Sequence, residues 1–407
     1  MTTRFPRPLA WALPVAFMSL LPPLARAQEA QPAPGTRTAE ISARQAEKAR
    51  TAHAYKPKFV ERVVQEIDEH LAARHIRWHP YYGHAYPGAG ITGGLGYKFH
   101  TRDYDSLDVR AAVSLTKSKR AEVQYEMPRL LRRRAALSVL GGWSEGLGQA
   151  FYGIGIAGTA TANRTEFDFR RSFGSVGLEF RPLHGALRFA GGVEVSRYEQ
   201  RRDAGSAFGL RYAPGNLPGV GATVDYVQAQ GQAAFDWRPA RGYAQRGGAY
   251  GVTARRYTDP DGRHSFDALE YDVVQHIPIM REAWVLSLHG RAETTFTSDG
   301  NEVPFFMLPT LGNATTLRSY ANQRFRDRHS LLLSAEWRVL VNRFTDLAFF
   351  YDAGKVAARR SDLGLSGLRD SYGIGLRLHT SETTPVRVDV ARGREGFRVA
   401  LAAVAAF

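Results

Sequence analysis

The chain has 407 residues, 54 Lys plus Arg against 39 Asp plus Glu, and no cysteine. Without thiols there is no disulfide framework and no thiolate metal site. The formal charge of +15 favours anionic surroundings such as lipid phosphates, and no run of eighteen apolar residues predicts a transmembrane helix.

The first 27 residues carry the pattern of a secretory leader. Arg4 and Arg7 form a basic start, Leu9 to Leu21 is mostly apolar, and Ala25-Arg26-Ala27 supplies a small-x-small cleavage site. Cleavage after Ala27 sends the mature chain out of the cytoplasm, so nucleic acid is not an expected partner. Residues 28–57 are predicted as a linker, disordered at least through the Pro- and Gln-rich start. Residues 58–87 are predicted as a periplasmic amphipathic helix and lead-in. Val60, Val63, Val64, Ile67 and Leu71 recur at helical spacing over 58–74, with Glu61, Glu66 and Glu69 on other faces.

From residue 88 to the end the period changes to two, and 22 Phe, 18 Tyr, 6 Trp and 40 Gly suit strands and tight turns. Alternation is clearest late in the chain. In HSLLLSAEWRVLV, Leu331, Leu333, Ala335, Trp337, Val339 and Val341 share one parity, against Ser330, Ser334, Glu336 and Arg338. In TDLAFFYDAGKVA, Leu347, Phe349 and Tyr351 oppose Asp346, Asp352 and Gly354. Farther on, Ile374 and Leu376 oppose Arg377, Val388 and Val390 oppose Arg387 and Asp389, and Phe397, Val399, Leu401 and Phe407 are grouped together. A charge on the lipid side of a barrel costs about 2–4 kcal/mol at mid-membrane, so this sorting fits an apolar exterior around a polar lumen.

Strands are predicted at 88–101, 107–117, 120–131, 134–145, 166–182, 186–200, 222–238 and 247–258. Eight more follow at 265–279, 283–297, 303–311, 330–341, 345–356, 371–380, 384–392 and 397–407. The fold class is therefore all-β, a transmembrane β-barrel of about sixteen strands, the even number that single-chain bacterial barrels show. The longest connections, near 146–165, 201–221 and 312–329, are predicted to be extracellular.

Several motifs suggest chemistry without the context it needs. Gly142-Trp-Ser144-Glu-Gly146 has the G-x-S-x-G spacing of a nucleophile elbow but no helical period after it. Gly88 to Gly93 matches G-x-G-x-x-G, again without the following helix. His70, His75, His79 and His84 lack a convincing ligand spacing. His264-Ser265 are neighbours on one strand and point to opposite faces, unlike a working dyad. No catalytic, cofactor or metal residue is predicted.

The loop TTLRSYANQRFRD, residues 315–327, decides the reading. Leu317-Arg318-Ser319-Tyr320 is similar to an apolar-Arg-Gly-aromatic loop motif. It is followed in order by Arg324-Phe325-Arg326-Asp327, by Glu336-Trp337-Arg338, by Phe350-x-Asp352-x-Gly354 and by a terminal Phe407. On these residues the chain resembles the BamA/TamA superfamily of outer-membrane barrels, also called the bacterial surface antigen family. Residues 28–87 hold no strand-helix-helix-strand pattern and resemble its branch without POTRA domains.

The resemblance implies that the loop joins the eleventh and twelfth strands and folds into the lumen. Parity puts Glu336, Phe350, Asp352 and Gly354 inward, so Arg318 has two carboxylates within reach. A guanidinium makes bidentate bonds there that a lysine cannot. Ser319 departs from the usual glycine. The resemblance also implies membrane-protein or lipid insertion or translocation, without covalent chemistry. Expected partners are outer-membrane lipid and lipopolysaccharide, the barrel assembly machinery that reads Phe407, and an unnamed periplasmic or secreted client. The alternatives are a passive, anion-leaning pore and an outer-membrane lipid hydrolase.

Overall fold

A computed structural model describes residues 37–51, 77–83, 92–102, 104–156, 161–182, 185–201, 205–260 and 262–402. The leader, the helix expected at 58–74, His70, His75, His84 and Phe407 lie outside these residues. The chain divides into two units, Met1–Lys58 and Phe59–Phe407. In the first, Arg37–Thr51 forms a helix, where a linker was expected across 28–57. Its RTAEISARQAEKART sequence is rich in good helix formers, with Glu40 in the first turn and Lys48 and Arg50 in the last, matching the helix dipole.

The second unit is a sixteen-stranded antiparallel sheet in chain order. Its strands are β1 (Trp78–Gly83), β2 (Thr92–His100), β3 (Ser106–Ser114), β4 (Lys119–Leu130), β5 (Ala135–Phe151) and β6 (Thr165–Phe180). Next come β7 (Leu187–Arg201), β8 (Thr223–Asp236), β9 (Gly247–Thr258), β10 (Phe266–Pro278) and β11 (Trp284–Phe296). The last five are β12 (His329–Asn342), β13 (Thr345–Ala357), β14 (Arg369–Leu378), β15 (Val386–Gly393) and β16 (Gly396–Ala402). This is the wall of a β-barrel. Among the described residues no pairing joins β1 to β16.

The expected total of sixteen holds, but two members change. The segment at 303–311 is not in the wall. Pro304 and Pro309 interrupt it, Phe305–Met307 forms a helical turn, and only Thr310–Leu311 pairs, with Phe325–Arg326. The missing strand is β1, WHPYYG, which shows no alternation. Its Pro80 is tolerated because an end strand need not donate on both sides. Strand β5 also runs on to Phe151, through a register shift between Gly146 and Gln149. Ser144 is therefore a buried mid-strand residue opposite Arg120 and Arg171, not an elbow.

Polarity in the lumen changes with height. Across the membrane the expected pattern is present: Val176, Leu178, Val193, Ile374 and Leu376 are exposed outward, while Arg171–Glu194 and Arg255–Glu270 pair inward. Strands β5 to β8 continue beyond the lipid, and there the order inverts. Asp225 and Arg197 pair on the outside in water, and Phe151, Phe167, Phe169, Tyr198 and Tyr226 turn inward. They form one core with Phe208, Leu217 and Val220 of the β7–β8 loop and with Val303, Phe305, Phe306 and Leu308 of the β11–β12 loop. Phe305 is fully buried, its ring 5.1 Å from Phe151 and 4.9 Å from Phe167. Two loops thus cap the end of the barrel that carries the long connections, which is the extracellular end.

Candidate functional site

The β11–β12 loop enters the lumen below this cap. The Thr310–Leu311 and Phe325–Arg326 ladder closes its neck, and the Gln323 N–H donates to the Gly312 carbonyl at 2.8 Å. Leu311, Leu317, Tyr320 and Phe325 pack with Leu332 of β12 and Val356 of β13 in a second apolar core. Gly354 makes this fit possible, because a Cβ there would lie 3.0 Å from Leu311 and 2.8 Å from the Leu331 carbonyl.

At the loop's tip, Arg318 is 1% exposed. Its Nε and Nη2 donate to the two oxygens of Asp352, each at 3.0 Å, and Nη1 donates to Glu336 at 2.7 Å. The guanidinium lies 3.7 Å above the Phe350 ring, and that ring fills the space over Gly373, where a Cβ would come within 2.8 Å of it. Burial alone would lower the Arg318 pKa, but the carboxylates of Asp352, Glu336 and Asp389 outweigh it and raise the guanidinium above its ordinary range. Such a group stays charged at every accessible pH.

Sequence reasoning missed half of this cluster. Arg377 donates to Glu336 at 2.7 Å and to Asp389 at 2.5 Å, and Arg387 reaches Asp389 at 3.2 Å. Arg387 also donates to the Ala314 carbonyl of the loop. Arg318, Arg377 and Arg387 therefore face Glu336, Asp352 and Asp389 with no net charge. The alternation already put Arg377, Arg387 and Asp389 inward, but their meeting depends on the β14–β15 register, which sets Gly375 opposite Asp389. Gly375 must be glycine, since a Cβ would sit 2.0 Å from the Asp389 carboxylate.

Ser319 is accommodated rather than strained. It is absent from the residues with positive φ. Its N–H donates to Ser371 Oγ at 2.9 Å, and its hydroxyl, without a hydrogen-bond partner, sits where a Cβ on Gly393 would be 2.2 Å away. The missing loop glycine is compensated by one on the wall. Arg324 pairs elsewhere, with Glu395 in the β15–β16 turn at 2.7 Å. Tyr320 stays in the apolar core. Asp327 caps the Arg328 N–H at 2.8 Å, and burial raises its carboxyl pKa.

The other motifs take structural roles. His264 and Ser265 hold the β9–β10 turn: Ser265 Oγ accepts from the Asp259 N–H at 3.0 Å, and His264 Nδ1 lies 3.2 Å from the Glu302 carbonyl. His79 pairs with Asp108 at 2.9 Å. A serine–histidine contact does exist, His276 with Ser287 at 2.8 Å. It faces the lumen, and among the described residues no carboxylate is bonded to His276. No group of metal-ligating side chains occurs among the described residues.

Fold and site together define an integral outer-membrane β-barrel whose β11–β12 loop is tied to its wall strands through a buried ion cluster. The Omp85 superfamily domain is matched over residues 105–395, well over half of the chain, and the protein belongs to that superfamily. Among solved structures it is similar to BamA from Haemophilus ducreyi lacking POTRA domains 1–3, at 15% identity and a TM-score of 0.61, covering 80% of this chain and 69% of that one. It is also similar to CdiB from Escherichia coli, at 12% identity and a TM-score of 0.51, covering 82% of this chain and 61% of that one, less than two thirds of CdiB. No curated protein matches the sequence.

Proposed function

We propose that this barrel inserts or translocates a client, either membrane protein or lipid, at the outer membrane and performs no covalent chemistry. On this reading residues 1–27 are the export leader, Phe407 is read by the barrel assembly machinery, and lipid and lipopolysaccharide surround the wall. The observation that carries the reading is the lumen loop, tied by Arg318 to three wall strands at once. A wall that must change shape while staying closed to ions benefits from a loop that links β12, β13 and β15 without being part of any of them. The test is catalysed folding of a urea-unfolded small barrel protein into vesicles containing the purified chain. Acceleration over empty vesicles, reduced in the Arg318→Ala variant, supports the proposal. Equal rates with and without the protein would remove the insertion reading.

The passive-pore reading is opposed by the aromatic cap and the lumen loop, which lie in series along the lumen. A steady, large, anion-selective conductance in planar bilayers would restore it. A hydrolase reading has no support in the positions of Ser144 or Ser265.

A further inference from the structure

At the periplasmic end most connections are short, and the β12–β13 turn is only Arg343–Phe344. The β8–β9 connection, residues 237–246, is much longer than it needs to be. Its base is pinched, with the Trp237 N–H donating to the Gly248 carbonyl at 3.0 Å. Gly247 turns the chain at φ 93, and a Cβ there would lie 2.8 Å from the Trp237 carbonyl. Beyond that narrow base the segment reaches away from its own strands to the far wall.

Its contacts there are specific. The Tyr243 ring stacks on His379 of the β14–β15 turn, with centroids 3.7 Å apart and planes 9° from parallel, and Arg338 of β12 lies 5.2 Å over the ring. The Tyr243 hydroxyl donates to Asp346 of β13 at 3.2 Å, and His379 Nε2 lies 3.2 Å from the same Asp346 oxygen. Thr384 donates to the Gly242 carbonyl at 2.9 Å, Arg338 to the Ala244 carbonyl, and Gln245 to the Glu282 carbonyl at 3.0 Å. Gly242 has no room for a side chain against the Glu382 carbonyl, 2.6 Å from its Cβ position. Tyr243 and Ala244 are buried, as are Arg338, Asp346, His379 and Thr384.

We propose that residues 237–246 are a periplasmic gate: a strap across the mouth of the barrel, latched by Tyr243 onto His379 and Asp346, that must swing away before the lumen opens to the periplasm. Two features distinguish it from an ordinary turn. It pairs with no strand, so it can leave without breaking the sheet. Its partners come from β12, β13 and the β10–β11 and β14–β15 turns, so its release also frees the wall around the ion cluster. The latch is made of stacking and a few hydrogen bonds, the class of contact that opens locally at far lower cost than the wall itself.

The chain has no cysteine, so one introduced thiol reports cleanly on access. Ser287 faces the lumen just above the strap, is 2% exposed, and stands opposite Glu336 in the β11–β12 register. The Ser287→Cys protein, full length in detergent, is treated with a membrane-impermeant maleimide. The strap is then unlatched by Tyr243→Ala with Thr384→Ala, and separately weakened by Tyr243→Phe, which keeps the ring and removes the hydroxyl. Heat-modifiability on gels confirms that each barrel is folded. The expected result is slow labelling with the strap intact, at least about tenfold faster labelling in the double variant and an intermediate rate in Tyr243→Phe, since a tenfold change corresponds to one modest contact in the open–closed equilibrium. Fast labelling with the strap intact would show that the mouth is not closed. Equal slow rates in all three folded proteins would show that the strap is not what closes it.

Discussion

Replacing Arg318 with alanine tests the ion cluster most directly, and the structure indicates which group would suffer. Glu336 would keep Arg377 at 2.7 Å, and Asp389 would keep both Arg377 and Arg387. Asp352, fully buried, would lose the guanidinium that holds both of its oxygens. Removing one partner of a buried ion pair costs about 3–5 kcal/mol, because the remaining charge is left desolvated. With one orphaned carboxylate rather than three, the lower end, about 3 kcal/mol, is expected. Urea titration of the folded, heat-modifiable band in lipid vesicles measures it. Adding Asp352→Asn removes the orphaned charge, so the double variant should recover about 2 kcal/mol of that loss, a coupling within the range seen for contacting residues. A single-variant loss below about 1 kcal/mol, or no recovery in the double variant, would refute the assignment of Asp352 as the dependent partner.

Three further outcomes follow from the packing. Gly393→Ala should destabilise the barrel by about 1–3 kcal/mol through overpacking against Ser319, and Ser319→Gly should restore part of it in the same titration; no rescue would mean that the Asp370 carbonyl, 2.9 Å from the added Cβ, dominates. Gly375→Ala should be more damaging than Gly393→Ala, because it pushes directly between Arg377 and Asp389. Phe305→Ala should cost about 3–5 kcal/mol if the cap is a true core, and should expose the β7–β8 loop to added protease; resistance equal to the parent chain would show that the cap does not depend on this ring.

Alternation carried most of the fold because lipid enforces it. Wherever a strand crosses the bilayer, one face must be apolar, and Phe349, Tyr351, Ile374 and Leu376 stand as the pattern placed them. The pattern failed where that constraint is absent. Strand β1 is short, contains Pro80 and has tyrosine on both faces, so period two has little to act on. The 303–311 segment alternates only weakly and is apolar because it packs into the cap, which from sequence resembles a strand packing into lipid. Within the site, Arg318, Glu336 and Asp352 could be brought together from the family resemblance of the loop and from strand parity. Gly393 behind Ser319 and the Tyr243–His379 stack could not, because each joins residues far apart in the chain through a register or a crossing that only the folded wall creates.

The inversion of polarity along β5 to β8 explains how one chain can hold both a charged and an aromatic interior. Inside the membrane the outer face is fixed as apolar, so polar side chains have only the lumen, and they neutralise one another there in pairs such as Arg171–Glu194 and in the six-residue cluster around Arg318. Above the membrane the outer face meets water, and the hydrophobic effect again favours an apolar inside. The loops that close that end can therefore be held by ordinary burial, as Phe305 and Phe208 are. The loop that reaches down has an apolar core of its own around Leu317 and Tyr320, but its tip is held by charge, because the surface Arg318 meets is charged. The β11–β12 loop does both: residues 303–308 belong to the cap, and Arg318 belongs to the ion cluster. A shift of that loop would therefore move the cap and the wall together, which makes the Arg318 cluster the point where a change in the strands would be felt at the extracellular face.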